Sequence, residues 1–79
     1  MSDTDRPEKS KVILKGLKKL GLEIGGGSRH DTATCPRSGK KTTVPRHKIL
    51  NKFTVGSIYD FLIEIGYSPE DVKKAFKWN

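Results

Sequence analysis

The chain has 79 residues, of which only 33% are hydrophobic, and its formal net charge is +7. This length gives one small domain of modest stability, because folding at this size buries only about 60% of the chain's surface. The longest aliphatic or aromatic run, Phe61 to Ile63, is too short for a signal peptide or a membrane span, so we expect a cytoplasmic protein without a membrane partner.

The chain begins with a short polar segment. Met1 to Asp5 is expected to be a disordered tail. A helix should begin between Asp5 and Glu8, because Asp5 can serve as its N-cap and Pro7 suits a first turn. We therefore assign residues 6–79 to a single domain.

The first helix is predicted to be amphipathic. Ile13, Leu17 and Leu20 repeat at i, i+4 and i+7, which indicates a buried stripe. Gly16 lies inside the helix at a cost of about 1 kcal/mol relative to alanine, which indicates close packing there. Gly21 is a natural residue to end the helix.

Three short segments after the helix are predicted to be β-strands. The first is Leu22 to Ile24, which alternates in polarity and leads into the flexible tract Gly25 to Gly27. The second is the threonine-rich segment from Arg29 to Cys35. A turn at Arg37 to Lys40 joins it to the third, Lys41 to Val44.

Alternation along the strands assigns the two faces of the predicted sheet. Leu22 and Ile24 must point towards the core, and Ala33, Cys35 and Val44 can join them. Three polar residues of the second strand then share the opposite, open face: His30, Thr32 and Thr34.

Two helices are predicted after a basic connector, Arg46 to Lys52. Thr54 can cap the first of them, apolar residues recur at helical spacing from Ile58 to Ile65, and Gly66 ends it. Ser68, followed by a proline, begins a short last helix. The order α-β-β-β-α-(α) predicts an α+β two-layer sandwich, with helices on one face of a three-stranded antiparallel sheet. The double-stranded RNA-binding domain has this order.

Positive charge is concentrated between Arg29 and Lys52. Seven basic residues stand there against one acidic residue, Asp31, so the segment carries +6 of the net charge of +7. A pI near 9.8 favours a polyanionic partner, because neutralised phosphates release counterions. Composition alone equally allows a basic surface that serves only solubility. The basic residues are Arg29, Arg37, Lys40, Lys41, Arg46, Lys48 and Lys52.

The sequence predicts neither a cofactor nor a metal site. His30, Cys35 and His47 lack the paired close spacing of structural zinc motifs. The tract Gly25 to Gly27 is not a P-loop, because the lysine and the following helix are missing, although its backbone could still approach a phosphate. Cys35 is the only cysteine, which rules out an internal disulfide and fits a reducing compartment.

His30 is the candidate catalytic residue. An imidazole can take or give a proton near neutral pH, and RNA supplies its own nucleophile, the 2′-hydroxyl. His30 would be the base or the acid, and Arg29, Arg46 and Lys48 would provide positive charge. Asp31 points away from His30 in a regular strand and is a poor candidate for orienting it. From the residues alone, an exposed histidine without a catalytic role is the better supported alternative.

Beyond these patterns, the sequence resembles the HicA-type mRNA interferase toxins of bacteria and archaea. Leu17 to Gly21 resembles the end of the family's first helix, and Gly27 to His30 resembles its Gly-Ser-x-His motif. Thr43 to Lys48 resembles its Thr-Val-Pro-Arg-His segment, and Ile65 to Ser68 resembles the helix end that follows. The resemblance covers roughly residues 11–72.

This resemblance implies a fold like that of the double-stranded RNA-binding domain and a catalytic role for His30 in cleaving mRNA. It also implies a type II toxin–antitoxin system, in which a HicB-like antitoxin protein holds the enzyme inactive. We expect the cleavage to be metal-independent. The residues expected to bind RNA are Ser28, Arg29, Arg37, Lys40, Lys41, Arg46, His47, Lys48 and Lys52.

Two other functions remain open at this point. A non-catalytic module with the same fold would read duplex RNA by its shape, and it would normally have lysines in the first turn of its second helix. Lys48 and Lys52 precede the predicted helix, which weakens this alternative. A protein-binding adaptor would use Tyr67 and Trp78 as exposed anchors.

Overall fold

The structure is a computed structural model that describes residues 6–27 and 29–78. The predicted tail, Met1 to Asp5, lies outside the described residues, as do Ser28 and Asn79. The predicted α+β class with a three-stranded antiparallel sheet is confirmed. The elements are β1 (Glu8–Lys9), α1 (Ser10–Lys19), β2 (Glu23–Gly26), β3 (His30–Thr34), β4 (Lys41–Pro45), β5 (Ile49–Leu50), α2 (Lys52–Glu64) and α3 (Pro69–Phe76).

Two hairpins build the three-stranded sheet, whose strand order is β2-β3-β4. Thr32 in the central strand pairs with Gly25 of β2 and with Thr43 of β4. The predicted turn between β3 and β4 is present, and Gly39 adopts a φ of 74° there, which an L-residue seldom tolerates. The glycine tract, which we predicted to be flexible and to follow the first strand, is partly strand itself, because Gly25 and Gly26 are the end of β2.

A second, two-stranded sheet was not predicted. Glu8 of β1 pairs with Leu50 of β5, and Lys9 pairs with Ile49. The prediction that the first helix begins between Asp5 and Glu8 is therefore wrong, since these backbone groups belong to a strand and α1 begins at Ser10. The partner strand is about 40 residues away, so no local pattern could indicate it.

Helix α1 packs closely on α3 at Gly16. A Cβ atom built on Gly16 would lie only 1.9 Å from Cδ1 of Phe76, so the predicted close packing is confirmed. The predicted end of the helix is also confirmed: Leu20 is the C-cap, and Gly21 follows with a φ of 92°.

The other two helices begin at side-chain caps. Asn51 caps α2, because its Oδ1 accepts a hydrogen bond from the Thr54 backbone N–H at 2.9 Å. The prediction that Thr54 is the cap is therefore wrong, and Lys52 becomes the first residue of the helix. Ser68 caps α3 as predicted, accepting from the Asp71 N–H at 3.1 Å.

The core lies between the three-stranded sheet and the helices. The predicted inward residues Leu22, Ala33, Cys35 and Val44 are buried, and Ile24 is partly buried against the core. No helix in the described part of the chain has the length and apolarity that crossing a membrane requires. The helices contribute most of the buried side chains, including Ile13, Leu17, Val55, Ile58, Leu62, Val72 and Phe76.

The two aromatic residues considered as exposed anchors do not have that role. Trp78 is only 2% exposed, and its indole N–H donates to Oε2 of Glu8 at 3.0 Å. Tyr67 is half-buried, and its hydroxyl donates to the Leu20 carbonyl. Both side chains are used to hold the fold together, which removes the basis of the adaptor interpretation.

Candidate nucleic-acid interface

One face of the three-stranded sheet is open. Ala33 and Val44 are buried on the helix side, so their strand neighbours face the other way. These residues are exposed or half-buried, and the described helices leave them uncovered. The register arranges them in three rows: Glu23–Thr34–Lys41, Gly25–Thr32–Thr43 and His30–Pro45.

His30 stands at one end of this open face, as the first residue of β3. Its carbonyl accepts a hydrogen bond from the Gly27 N–H at 2.9 Å. A Cβ on Gly27 would lie 3.0 Å from that carbonyl oxygen, so glycine permits this approach. The side chain is exposed, and among the described residues no group hydrogen-bonds to its imidazole. The ring is therefore available to a ligand.

The neighbouring pair Asp31–Arg46 lies on the opposite side of the sheet from His30. Asp31 pairs with the buried Val44 in the register, and its Oδ1 accepts from Nε of Arg46 at 3.1 Å. The second contact, from Nη2 to the same oxygen, is also 3.1 Å. Gly26 opposite Asp31 provides the space, since a Cβ there would lie 3.0 Å from Nη2. The expectation that Asp31 does not orient His30 agrees with this geometry.

The predicted RNA-binding residues separate into three groups rather than forming one cluster. Arg29, Arg46 and His47 lie near His30, at one end of the sheet. The second group lies at the other end of β3, about 14 Å away by the rise of an extended strand, in the turn after β3 and at the first residue of β4. Every described member is exposed, and Ser28 lies outside the described residues. The second group is Arg37, Lys40 and Lys41.

The third group surrounds β5. Lys48 precedes this strand, its carbonyl accepts from the Ser10 N–H at 3.1 Å, and a small groove beside it is lined by Lys9 and Lys11 as well. Lys52 follows the strand as the first residue of α2. Both lysines were predicted to precede the second helix. In the structure, Lys48 contacts the start of α1, and Lys52 lies inside α2.

Two exposed apolar residues near this third group were missed. Phe53 is 75% exposed and Ile49 is 57% exposed. The exposure of Phe53 could have been predicted from the sequence, because this residue does not continue the buried stripe of α2 formed by Val55, Ile58 and Leu62. Lys9 and Lys11 were also missed as candidates, since only the pairing of β1 with β5 brings them beside Lys48.

Cys35 has no part in this surface. It is buried, as strand alternation predicted, and its hydrogen bond with the Ser38 side chain lowers the pKa of its thiol. Within residues 6–27 and 29–78, no group of three or more His, Cys, Asp or Glu side chains could hold a metal ion.

Comparison of the chain with protein-family models, curated proteins and solved structures finds no match. The resemblance to HicA-type toxins therefore stays a prediction from short motifs. Independently of that resemblance, the structure has an exposed imidazole on an uncovered sheet face, with exposed cations beside it and at the far end of the strand.

Proposed function

We propose that this chain is a HicA-type mRNA interferase, an endoribonuclease that cleaves RNA with His30 as general acid or base. The observation that carries the proposal is the exposure of the His30 imidazole at the edge of the open face, where no described side chain engages it. The motif resemblance around His30 supports the same residue independently.

Cleavage by such a site follows from the chemistry of RNA. The 2′-hydroxyl oxygen attacks the adjacent phosphorus, an O–P bond forms, and the bond from phosphorus to the 5′-oxygen breaks. As base, the imidazole takes the proton of the 2′-hydroxyl; as acid, the imidazolium gives a proton to the departing 5′-oxygen. When the imidazole is the base, water gives the proton to the 5′-oxygen; when the imidazolium is the acid, water takes the proton of the 2′-hydroxyl. The products are a 2′,3′-cyclic phosphate and a 5′-hydroxyl, and the step needs no metal because the substrate holds the nucleophile.

Positive charge near His30 would stabilise the developing charge on the phosphate. Arg29 immediately precedes His30, is exposed, and has no ion-pair partner among the described residues. Arg46 is held by Asp31 on the other side of the sheet, so it is a weaker candidate than the sequence indicated. Arg29 is therefore the first choice for this role.

The proposal extends to partner and compartment. An active mRNA interferase would harm its own cell, and an acidic HicB-like antitoxin that covers the basic surface would silence it most simply. Opposite charges would also speed the capture of the enzyme. RNA as the substrate and a single cysteine both favour the cytoplasm.

The test is cleavage of a single-stranded RNA, without added metal, by the wild type and by His30→Ala. Loss of proton transfer should reduce the rate by roughly a hundred- to ten-thousand-fold. Because the His30 side chain is exposed, the His30→Ala variant should melt at the same temperature as the wild type, and it should still bind RNA. His47→Ala is the matched comparison and should be milder, since His47 lies in the connector between β4 and β5. A His30→Ala variant that cleaves like the wild type would refute the proposal.

The second candidate is a non-catalytic module that binds duplex RNA. One observation favours it: Asn51, and not Thr54, caps α2, so Lys52 occupies the first turn of that helix. This is where a double-stranded RNA-binding module normally has lysines. A wild-type protein that binds duplex RNA well and never cleaves single-stranded RNA would select this function.

A further inference from the structure

Phe53 is a large apolar side chain that the fold does not use. It is the second residue of α2 and is 75% exposed, whereas the helix buries Val55, Ile58 and Leu62. Ile49, four residues earlier, is 57% exposed. Single exposed apolar residues are common on protein surfaces, so these two indicate a binding surface only through the groups around them.

Cations surround these two residues. Nζ of Lys52 lies 5.3 Å from the centroid of the Phe53 ring, and Lys9 is paired with Ile49 across the β1–β5 ladder. Lys48 immediately precedes Ile49, and the first turn of α2 contains no acidic residue. The aromatic patch is defined as Lys9, Lys48, Ile49, Lys52 and Phe53.

This combination fits a nucleic acid better than a protein. Stable protein interfaces bury about 800 Å² on each partner, and their centres are depleted in lysine. The aromatic patch has two apolar side chains and three lysines, which suits a single stacked base with phosphates beside it. In a duplex the bases are stacked on each other, so an exposed ring can reach only an unpaired base.

We propose that Phe53 stacks on an unpaired base of the RNA, while Lys48 and Lys52 contact the neighbouring phosphates. The chain would therefore prefer single-stranded to duplex RNA. This inference rests on the proposed function in taking RNA as the ligand, and it adds a residue that determines which RNA is bound.

The connector after β4 joins the strand position opposite His30 to the aromatic patch. Pro45 is paired with His30, and Lys48 follows Pro45 by three residues, which span at most about 11 Å when extended. Phe53 comes five residues after Lys48, so in this proposal an RNA strand whose base rests on Phe53 passes Lys48 on its way to the imidazole. The stacked base would fix the distance to the bond that is cut.

The experiment measures RNA binding in the His30→Ala background, so that cleavage does not interfere. A fluorescently labelled single-stranded RNA and a duplex of the same sequence are titrated with each variant. Phe53→Ala should weaken single-strand binding by about 5- to 150-fold, the usual value of one stacked base, and should leave duplex binding unchanged. Melting temperatures should not change, because the side chain is exposed.

Two further variants distinguish stacking from apolar contact. Phe53→Trp keeps an aromatic ring and should bind single-stranded RNA as the parent does, whereas Phe53→Leu keeps apolar area alone and should bind as weakly as Phe53→Ala. Parent-like binding by Phe53→Leu would overturn stacking. Unchanged RNA binding by Phe53→Ala, together with loss of a co-purifying antitoxin, would instead assign the aromatic patch to a protein partner.

The same titrations separate failure of this inference from failure of the proposed function. If the wild type cleaves RNA and Phe53→Ala binds it normally, only the stacking role is wrong. If the wild type binds no RNA of either kind, both proposals fail. If single-stranded RNA is bound through Phe53 but never cleaved, stacking stands and the catalytic role of His30 fails.

Discussion

The open face of the sheet and the contact between α1 and α3 on its other side differ in nearly every physical property. The three paired rows of the open face contain threonine hydroxyl groups, a glycine, Glu23, Lys41, Pro45 and His30, with no large aliphatic side chain. The helix contact joins Gly16 to Phe76, and Trp78 packs beside it with a ring separation of 4.9 Å. In this small domain the sheet separates the groups available for chemistry from those that supply stability. Substitutions on the two sides should therefore have separable effects.

The helix contact also joins the two ends of the described chain. Trp78 hydrogen-bonds to Glu8, 70 residues earlier, and the Arg6 guanidinium lies 5.3 Å from the centre of the indole ring. Such an arrangement removes a large aromatic surface from water while satisfying the indole N–H. It also holds β1 in place, and with it the start of α1.

The largest effect on stability is expected from Trp78→Ala. Truncating a buried tryptophan should lower the free energy of unfolding by about 3–5 kcal/mol, a large part of the stability of a small domain. Urea unfolding followed by circular dichroism measures it. The matched variant on the open face is Thr43→Ala, at an exposed position of the edge strand β4, and it should stay within about 0.5 kcal/mol of the wild type. Equal losses in the two variants would contradict the separation.

Glycine substitutions sharpen the same comparison within the helices. Gly16→Ala places a methyl group where Phe76 lies, and overpacking should lower the free energy of unfolding by about 1–3 kcal/mol. Gly56 in α2 faces open space, with no neighbouring atom within 4 Å of the position that a Cβ would take, so Gly56→Ala should raise the stability by about 0.5–1 kcal/mol. Thermal melts of the two variants should move in opposite directions. A stabilising Gly16→Ala would show that α1 and α3 can separate at little cost.

The helix contact illustrates what sequence patterns can and cannot predict. Gly16 inside an amphipathic helix indicated close packing, because an unforced glycine there would be costly. The position of Trp78 could not be predicted, since its hydrogen bond to Glu8 depends on pairing between distant segments. The strand alternation that buries Ala33 and exposes His30 was predictable, because it is a local property of an extended chain.

The errors at helix starts have a common physical origin. Asn51 and Thr54 are both good N-caps, and local sequence does not decide between them. At α1, pairing of Glu8 with Leu50 overrides the local capping preference of Asp5 and Pro7. The error at α2 affects the candidate site as well, because it placed Lys52 outside the helix that contains it.

Charge reversal at the second group of cations should change binding far more than stability. Lys40→Glu combined with Lys41→Glu removes an exposed ion pair, Lys40 with Glu64 at 3.8 Å, which is worth at most about 1 kcal/mol. RNA affinity should fall, and the dependence of log affinity on log salt should flatten by about 0.7 for each phosphate that the variant no longer neutralises. Titrations at several salt concentrations measure the slope. A binding affinity that does not respond to salt would count against this part of the surface.

Asp31→Asn tests the edge between the two regions and should have only a small effect on stability. The Asp31–Arg46 pair is partly exposed, with 20% and 46% of the two side chains accessible, so losing its charge should cost about 0–1 kcal/mol. The substitution leaves Arg46 without its carboxylate and removes the only acid between Arg29 and Lys52. RNA binding should therefore become tighter. The dependence of log affinity on log salt should steepen by about 0.7, the value for one further neutralised phosphate. Weaker RNA binding at unchanged stability would show instead that the Asp31–Arg46 pair must stay intact for the surface to bind RNA.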